Sequence, residues 1–209
     1  MKRLSIVAIS IVLTACASDP VITANISQSG TESGLAAMQH SGFDKAFVRP
    51  GTELADYAIA TVDTLNLSHS KVTPPPGARE LMVEPWSLTD KRKAQLQALW
   101  SRANPPMALS TPGKKPLRIR AKLTQIAPSS NIEALEKAGQ VVQIYTENSG
   151  NLGIELELID AQSGELIAVL RDDREAGVSM WQQTSSIRVR QDYLWLFKQW
   201  RRHLEDLLK

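Results

Sequence analysis

Leu117-Arg118-Ile119-Arg120-Ala121-Lys122-Leu123 alternates apolar and cationic residues without a break. Successive side chains of a strand point to opposite faces, so this stretch turns four apolar residues to a core and three cations away from it. Ile154-Glu155-Leu156-Glu157-Leu158 repeats the pattern with anions outward. Opposite charges facing each other across paired strands stabilise by about 0.2–1 kcal/mol per pair. The two strands are therefore predicted to be neighbours, with Arg118, Arg120 and Lys122 facing Glu155 and Glu157. Asp160-Ala161-Gln162-Ser163-Gly164 reads as a hairpin turn leading into a strand over residues 166–170. Gly164 supplies the positive φ that a short turn needs.

Working outward, residues 57–63 (YAIATVD) have the composition of a first strand, and Pro74-Pro75-Pro76-Gly77 comes after it as a stiff connector. A helix comes next. Ser87 or Thr89 can cap it, Asp90 lies in its first turn, and Leu96, Leu99, Trp100 and Ala103 share one face. Asn104-Pro105-Pro106 stops it. Residues 131–137 are expected to form one helical turn and residues 148–153 a loop. Near the C-terminus Val189, Tyr193, Leu196, Phe197, Trp200, Leu204 and Leu207 recur at three- and four-residue spacing, with Arg190, Lys198, Arg201 and Arg202 opposite. A domain of this size needs such a helix to close its sheet. The competing reading, a surface helix lying on a membrane or partner, draws on Leu194 and Trp195. The expectation is an α+β fold: a single small domain with a mostly antiparallel sheet of about four strands and two main helices packed on it.

The N-terminus reads differently. Of 209 residues, Lys2 and Arg3 precede an apolar run over residues 4–14, too short for the ~20 residues that span a bilayer and fitting for a signal peptide. Leu13-Thr14-Ala15-Cys16 resembles the lipobox of bacterial lipoproteins. That resemblance implies lipid on the Cys16 thiol, cleavage between Ala15 and Cys16, and acylation of the freed amine. Cys16 is the only cysteine of the chain, so a disulfide cannot account for it. At roughly 0.8 kcal/mol per buried methylene, two or more chains anchor stably where one does not. Lipoproteins kept in the inner membrane commonly carry Asp after the lipidated cysteine; Ala17 and Ser18 stand here, which points to the outer membrane. The expected organisation is a signal peptide over 1–15, lipidated Cys16 with a flexible tether over 16–40, and a periplasmic α+β domain over 41–209. The Ser-, Thr-, Gly- and Ala-rich composition of 17–39 suits a tether about 25–30 Å in mean reach. A packed N-terminal arm is the other reading.

Charge narrows the partners. The formal +2 comes from 24 basic against 22 acidic residues, and Lys2 and Arg3 leave with the signal. A neutral domain lacks the basic face that a nucleic-acid partner requires. The expected partners are the membrane, through Cys16, and another envelope protein.

Four further features carry a family resemblance: Ser41-Gly42-Phe43, the strand over 57–63, the run 117–126, and Asp160-Ala161-Gln162-Ser163-Gly164-Glu165-Leu166 with the closing helix through Trp200. In this order and spacing, over about 41–209, the chain resembles the bacterial lipoproteins grouped as domain-of-unknown-function family 3313. Pro74 to Gly77 departs from that pattern. The resemblance implies an envelope lipoprotein without assigned activity, and brings no catalytic residues with it.

Candidate sites are few. His40, His69 and His203 stand at no metal-ligand spacing, no phosphate-cradling Gly-rich loop occurs, and no Gly-x-Ser-x-Gly elbow is present. No cofactor or metal is expected, and the chain is expected not to be an enzyme; a Ser-His-Asp arrangement using Asp63 would have to assemble in space. Asp172-Asp173-Arg174-Glu175 reads as a solvated loop, or else as a contact for a cation or partner. The Arg118/Arg120/Lys122 stripe reads as neutralised by Glu155 and Glu157, or else as a site for acidic glycans or lipid phosphates. Trp86, Trp100, Trp181, Trp195 and Trp200 serve packing or line an apolar pocket. The leading expectation is a non-enzymatic envelope module. The alternatives are a carrier for a lipid or small apolar ligand, and an envelope hydrolase.

Overall fold

Strand β6 (Lys115–Pro128) pairs antiparallel with β8 (Gly150–Asp160), and Arg120 stands opposite Glu157 and Lys122 opposite Glu155. The alternation read in the sequence therefore fixes the register at the centre of the sheet. The turn at 161–165, with Gly164 at φ +76°, returns the chain into β9 (Leu166–Glu175) beside β8. The computed structural model describes residues 19–26, 32–75, 85–106, 112–137 and 143–209.

The sheet is larger than the four strands expected. β1 (Val21–Ile26), β2 (Ala36–Gln39) and β3 (Lys45–Val48) form an antiparallel meander that joins β9. On the other side β4 (Tyr57–Val62) lies parallel to the first half of β6. Asn66 then bridges to Lys122, and β5 (Lys71–Val72) pairs with the far end of β6. The eight strands run β1-β2-β3-β9-β8-β6-β4, with β5 also on β6. Residues expected to form a tether thus supply two strands. Strands of four to six residues carry too few repeats of the period-two pattern to stand out, and these gain their stability from partners far along the chain. The expected loop over 148–153 yields to β8 from Gly150 onward. A Cβ on Gly150 would lie 2.6 Å from the Ala127 carbonyl oxygen, and its φ is +128°, so glycine is required where β8 meets β6.

Two main helices cover one face, as expected. α1 (Asp90–Ala103) is capped by the Thr89 hydroxyl, which accepts from the Arg92 amide, and buries Leu96, Leu99, Trp100 and Ala103. The six-residue α2 (Ile132–Lys137) comes directly after β6. α3 (Ser186–Leu207), capped by Ser185, buries Tyr193, Leu196, Phe197, Trp200, Leu204 and Leu207. Phe197 meets Trp100 edge-on at 5.6 Å, and both belong to one core with Leu117, Ile119, Leu123, Ile154, Leu156 and Leu158. The closing helix is a core element, and no helix among the described residues is long and apolar enough to cross a membrane. A short ribbon of β7 (Tyr145–Thr146) and β10 (Gln182–Gln183) stands beside the main sheet.

Asp172-Asp173-Arg174-Glu175 is strand, not the solvated loop expected. Asp172 is buried and accepts from Trp200 Nε1 at 2.6 Å and from the Asp44 amide at 3.0 Å, while Arg174 pairs with the same carboxylate. This carboxylate ties α3, β9 and the β2–β3 turn together. Buried charge is tolerated here because both carboxylate oxygens accept a hydrogen bond and a guanidinium lies beside one of them.

Candidate functional site

The helices leave the opposite face of the sheet open, and the charged side chains of β6 and β8 stand on it. Arg118 forks onto Asp63 at the end of β4, Nε donating at 2.9 Å and 3.1 Å to its two oxygens and Nη2 lying 2.8 Å away. These hydrogen bonds raise the Arg118 guanidinium above its ordinary pKa. Arg120 Nη1 lies 3.3 Å from Glu157 Oε2. Arg171 on β9 donates Nε to Glu155 at 2.7 Å and Nη2 to Glu32 at 3.0 Å. The hydrogen bond from Arg171 holds the Glu32 carboxyl below the usual carboxylate range.

Asp63, Thr64, Asn66, Arg118, Arg120, Lys122, Glu155 and Glu157 line a shallow basin of about 650 Å³. Four carboxylates (Glu32, Asp63, Glu155 and Glu157) meet four cations (Arg118, Arg120, Lys122 and Arg171) across this face. Such a balanced surface suits a partner of mixed charge and offers little to a polyanion. The stripe of cations was legible in the sequence. Asp63, Glu32 and Arg171 were not, because their places in the ladder depend on β4 and β9 lying on either side and on the turn before β2 folding back.

A second feature is a small apolar hollow where α1, α2 and α3 begin, lined by Trp86, Leu96, Pro128, Ile132, Val189 and Tyr193, of about 50 Å³. Arg92 closes it. Its guanidinium lies 4.7 Å from the Trp86 ring centroid, donates to Glu133 at 3.1 Å, to Asn131 Oδ1 at 3.0 Å and to the Ser87 carbonyl at 2.8 Å. The buried Tyr193 hydroxyl donates to the Ser149 carbonyl at 3.3 Å, and burial pushes its pKa up.

The remaining candidates are scattered. Trp86, Trp100 and Trp200 are buried, whereas Trp181 and Trp195 are exposed. His40 and His69 occupy turns at positive φ, and His203 lies on α3 edge-on to Phe43 at 5.9 Å. Among the described residues no group of three or more His, Cys, Asp or Glu side chains is arranged to hold a metal ion. Ala15 and Cys16, the predicted cleavage and lipidation positions, lie outside the described residues.

Comparison with known proteins gives one family. The family described as "Protein of unknown function (DUF3313)" matches residues 26–203. No curated protein matches the chain. Among solved structures, a PelC dodecamer from Paraburkholderia phytofirmans is similar at 9% identity and a TM-score of 0.36, covering 76% of this chain and 94% of that one. A candidate lipoprotein from Caulobacter crescentus is similar at 13% identity and a TM-score of 0.33, covering 75% and 90%. A DUF330 protein from Xanthomonas campestris is similar at 11% and 0.33, covering 76% and 85%. At these TM-scores the likeness says nothing about assembly or role.

Proposed function

Since the chain belongs to the DUF3313 family of proteins of unknown function, we propose that it is a lipid-anchored envelope protein whose domain works by contact with another envelope protein, without catalysing a reaction. Lipid on Cys16, after cleavage behind Ala15, holds the domain on the periplasmic side of the outer membrane. The observation that carries the contact reading is the open, charge-balanced face of the sheet beside an interior that is already filled. Leu196, Phe197 and Trp200 are fully buried between α3 and the sheet, where a carried ligand would have to lie. The hollow at the helix starts, at about 50 Å³, has room for about two water molecules and none for a fatty chain.

The test is cross-linking in intact membranes followed by co-purification, comparing the native chain with Cys16→Ser and with Arg120→Glu. A specific protein partner is expected with the native chain, weakened by Arg120→Glu. Recovery of no specific partner from any of the three overturns the contact reading. Bound lipid in native mass spectra of the delipidated domain would replace it with the carrier.

A further inference from the structure

We propose that one end of the sheet, displaying Tyr145, Val178, Met180 and Trp181, is a second membrane contact that seats these side chains in the lipid headgroup zone. The proposal rests on the reading of Cys16 as lipidated, and it adds the orientation in which the anchored domain is held.

The topology places the anchor and these side chains at the same end. β9 runs toward that end and β1 runs away from it, because β1, β2, β3 and β9 are successively antiparallel. The chain therefore enters β1 from the end at which it leaves β9. Val21 pairs with Gln39, Met38 with Ala46, and Lys45 with Arg171, so Val21 stands level with Arg171 along the strand axis. Glu175, the last residue of β9, lies four residues further out, about 13 Å at ~3.3 Å per residue. Only four residues separate Cys16 from Val21, so the thiol-bearing residue can stand no more than about 18 Å from Val21. A lipid on Cys16 keeps the bilayer within reach of the segment after β9.

That segment is apolar and exposed. Val178 is 56% exposed, Met180 59%, Trp181 66%, and Tyr145 beside them on β7 52%. Their backbone is fixed. Ala176 donates to Gly150 and accepts from Ser149, Met180 donates to Glu147, and the Thr146 and Thr184 hydroxyls share a 2.8 Å hydrogen bond. A braced ribbon holds these side chains in water, where a free loop would fold them away. Trp and Tyr are the residues that settle at the boundary between water and acyl chains. Exposed Glu147, whose carbonyl accepts from the Met180 amide, and exposed Glu175 flank the segment, so attraction to anionic lipid is not the source of the contact. The contact is apolar and salt-insensitive. It also lies some three strands, about 14 Å, to one side of β1. Two separated attachment points fix an orientation that a lipid alone leaves free.

The experiment uses the full lipidated protein reconstituted in phosphatidylcholine vesicles containing brominated lipid, with its intact mass measured first. The expected mass carries the acyl chains. Brominated lipid is expected to quench a component of the tryptophan fluorescence that Trp181→Phe removes, unchanged from low to near-molar salt. Val178→Ser with Met180→Ser in the unlipidated Cys16→Ser chain is expected to lower vesicle partition roughly tenfold. An acylated protein whose Trp181 is quenched only from the aqueous side overturns the second contact and leaves the anchor standing. Protection of Trp181 that appears only with a protein partner assigns the patch to that partner instead. A mass without acyl chains sinks the anchor and the orientation with it.

Discussion

Replacing Asp172 by alanine should destabilise the domain by about 3 kcal/mol at neutral pH. The buried carboxylate accepts from Trp200 Nε1 at 2.6 Å and from the Asp44 amide at 3.0 Å. Alanine leaves both donors unpartnered, and a buried donor left without an acceptor costs roughly 1–3 kcal/mol. Arg174, which pairs with the same carboxylate, is 29% exposed at its side chain and can turn to water. It contributes little to the loss, and relief of the buried charge offsets part of the rest. The cycle formed with Trp200→Phe, which removes the indole donor with a modest change of shape, isolates the shared bond at about 1–2 kcal/mol. The assay is urea unfolding of the Cys16→Ser chain, monitored by circular dichroism, for the parent, both single variants and the double. Coupling near zero, or a loss for Asp172→Ala below about 0.5 kcal/mol with an unchanged slope, would refute the claim that this carboxylate ties α3 to the sheet.

Other parts of the fold respond differently. Phe197→Ala, at a fully buried ring, should cost about 3–5 kcal/mol in the same unfolding assay. Gly150→Ala should cost about 2–3 kcal/mol, because its Cβ meets the Ala127 carbonyl and its φ suits only glycine. Arg118→Ala, on the exposed face, should change stability by less than about 1 kcal/mol and be read out in partner capture instead. Asp160 accepts from the Ser163 and Gln162 amides and from the Tyr57 hydroxyl, and the Ser163 bond leads in holding its carboxyl below the usual value. A carboxyl depressed in the folded state stabilises above the unfolded pKa and loses that contribution as pH falls through the folded one. The gap between parent and Asp160→Asn should therefore be full above about pH 4 and close as pH drops below it, a trend that urea midpoints across pH will record.

The centre of this fold was legible because its signal is local. Residues 117–123 and 154–158 repeat apolar and charged types strictly, and their complementary charges named the partner strand as well as the buried face. α1 and α3 were equally plain, since the cap offered by Ser87 or Thr89 and the spacing of Leu196, Phe197 and Trp200 are decided within a few turns, whereas the Ser185 cap came only with the structure. β1 to β3 escaped notice for the opposite reason: Ala46 and Val48 become core residues only once β3 lies beside β9. Asp172 shows the same limit. Charge beside charge reads as solvent, and only the indole of Trp200, 28 residues on, makes the position interior. The candidate site was half visible: Arg118, Arg120, Lys122, Glu155 and Glu157 stand in two alternating runs, whereas Glu32, Asp63 and Arg171 join them only through the fold.

The junction between β3 and β9 has a consequence for the order of assembly. Lys45 pairs with Arg171, a separation of 126 residues, and the bond from the Asp44 amide to Asp172 spans 128. Contacts so distant form late, because closing a long loop is costly before the contacts it brings can repay it. When the chain emerges N-terminus first, the small meander at its front has nothing to dock on until the hairpin of β8 and β9 has arrived. Completion of the sheet is thus a closing step, and a chain interrupted before residue 166 would leave that meander without a neighbour.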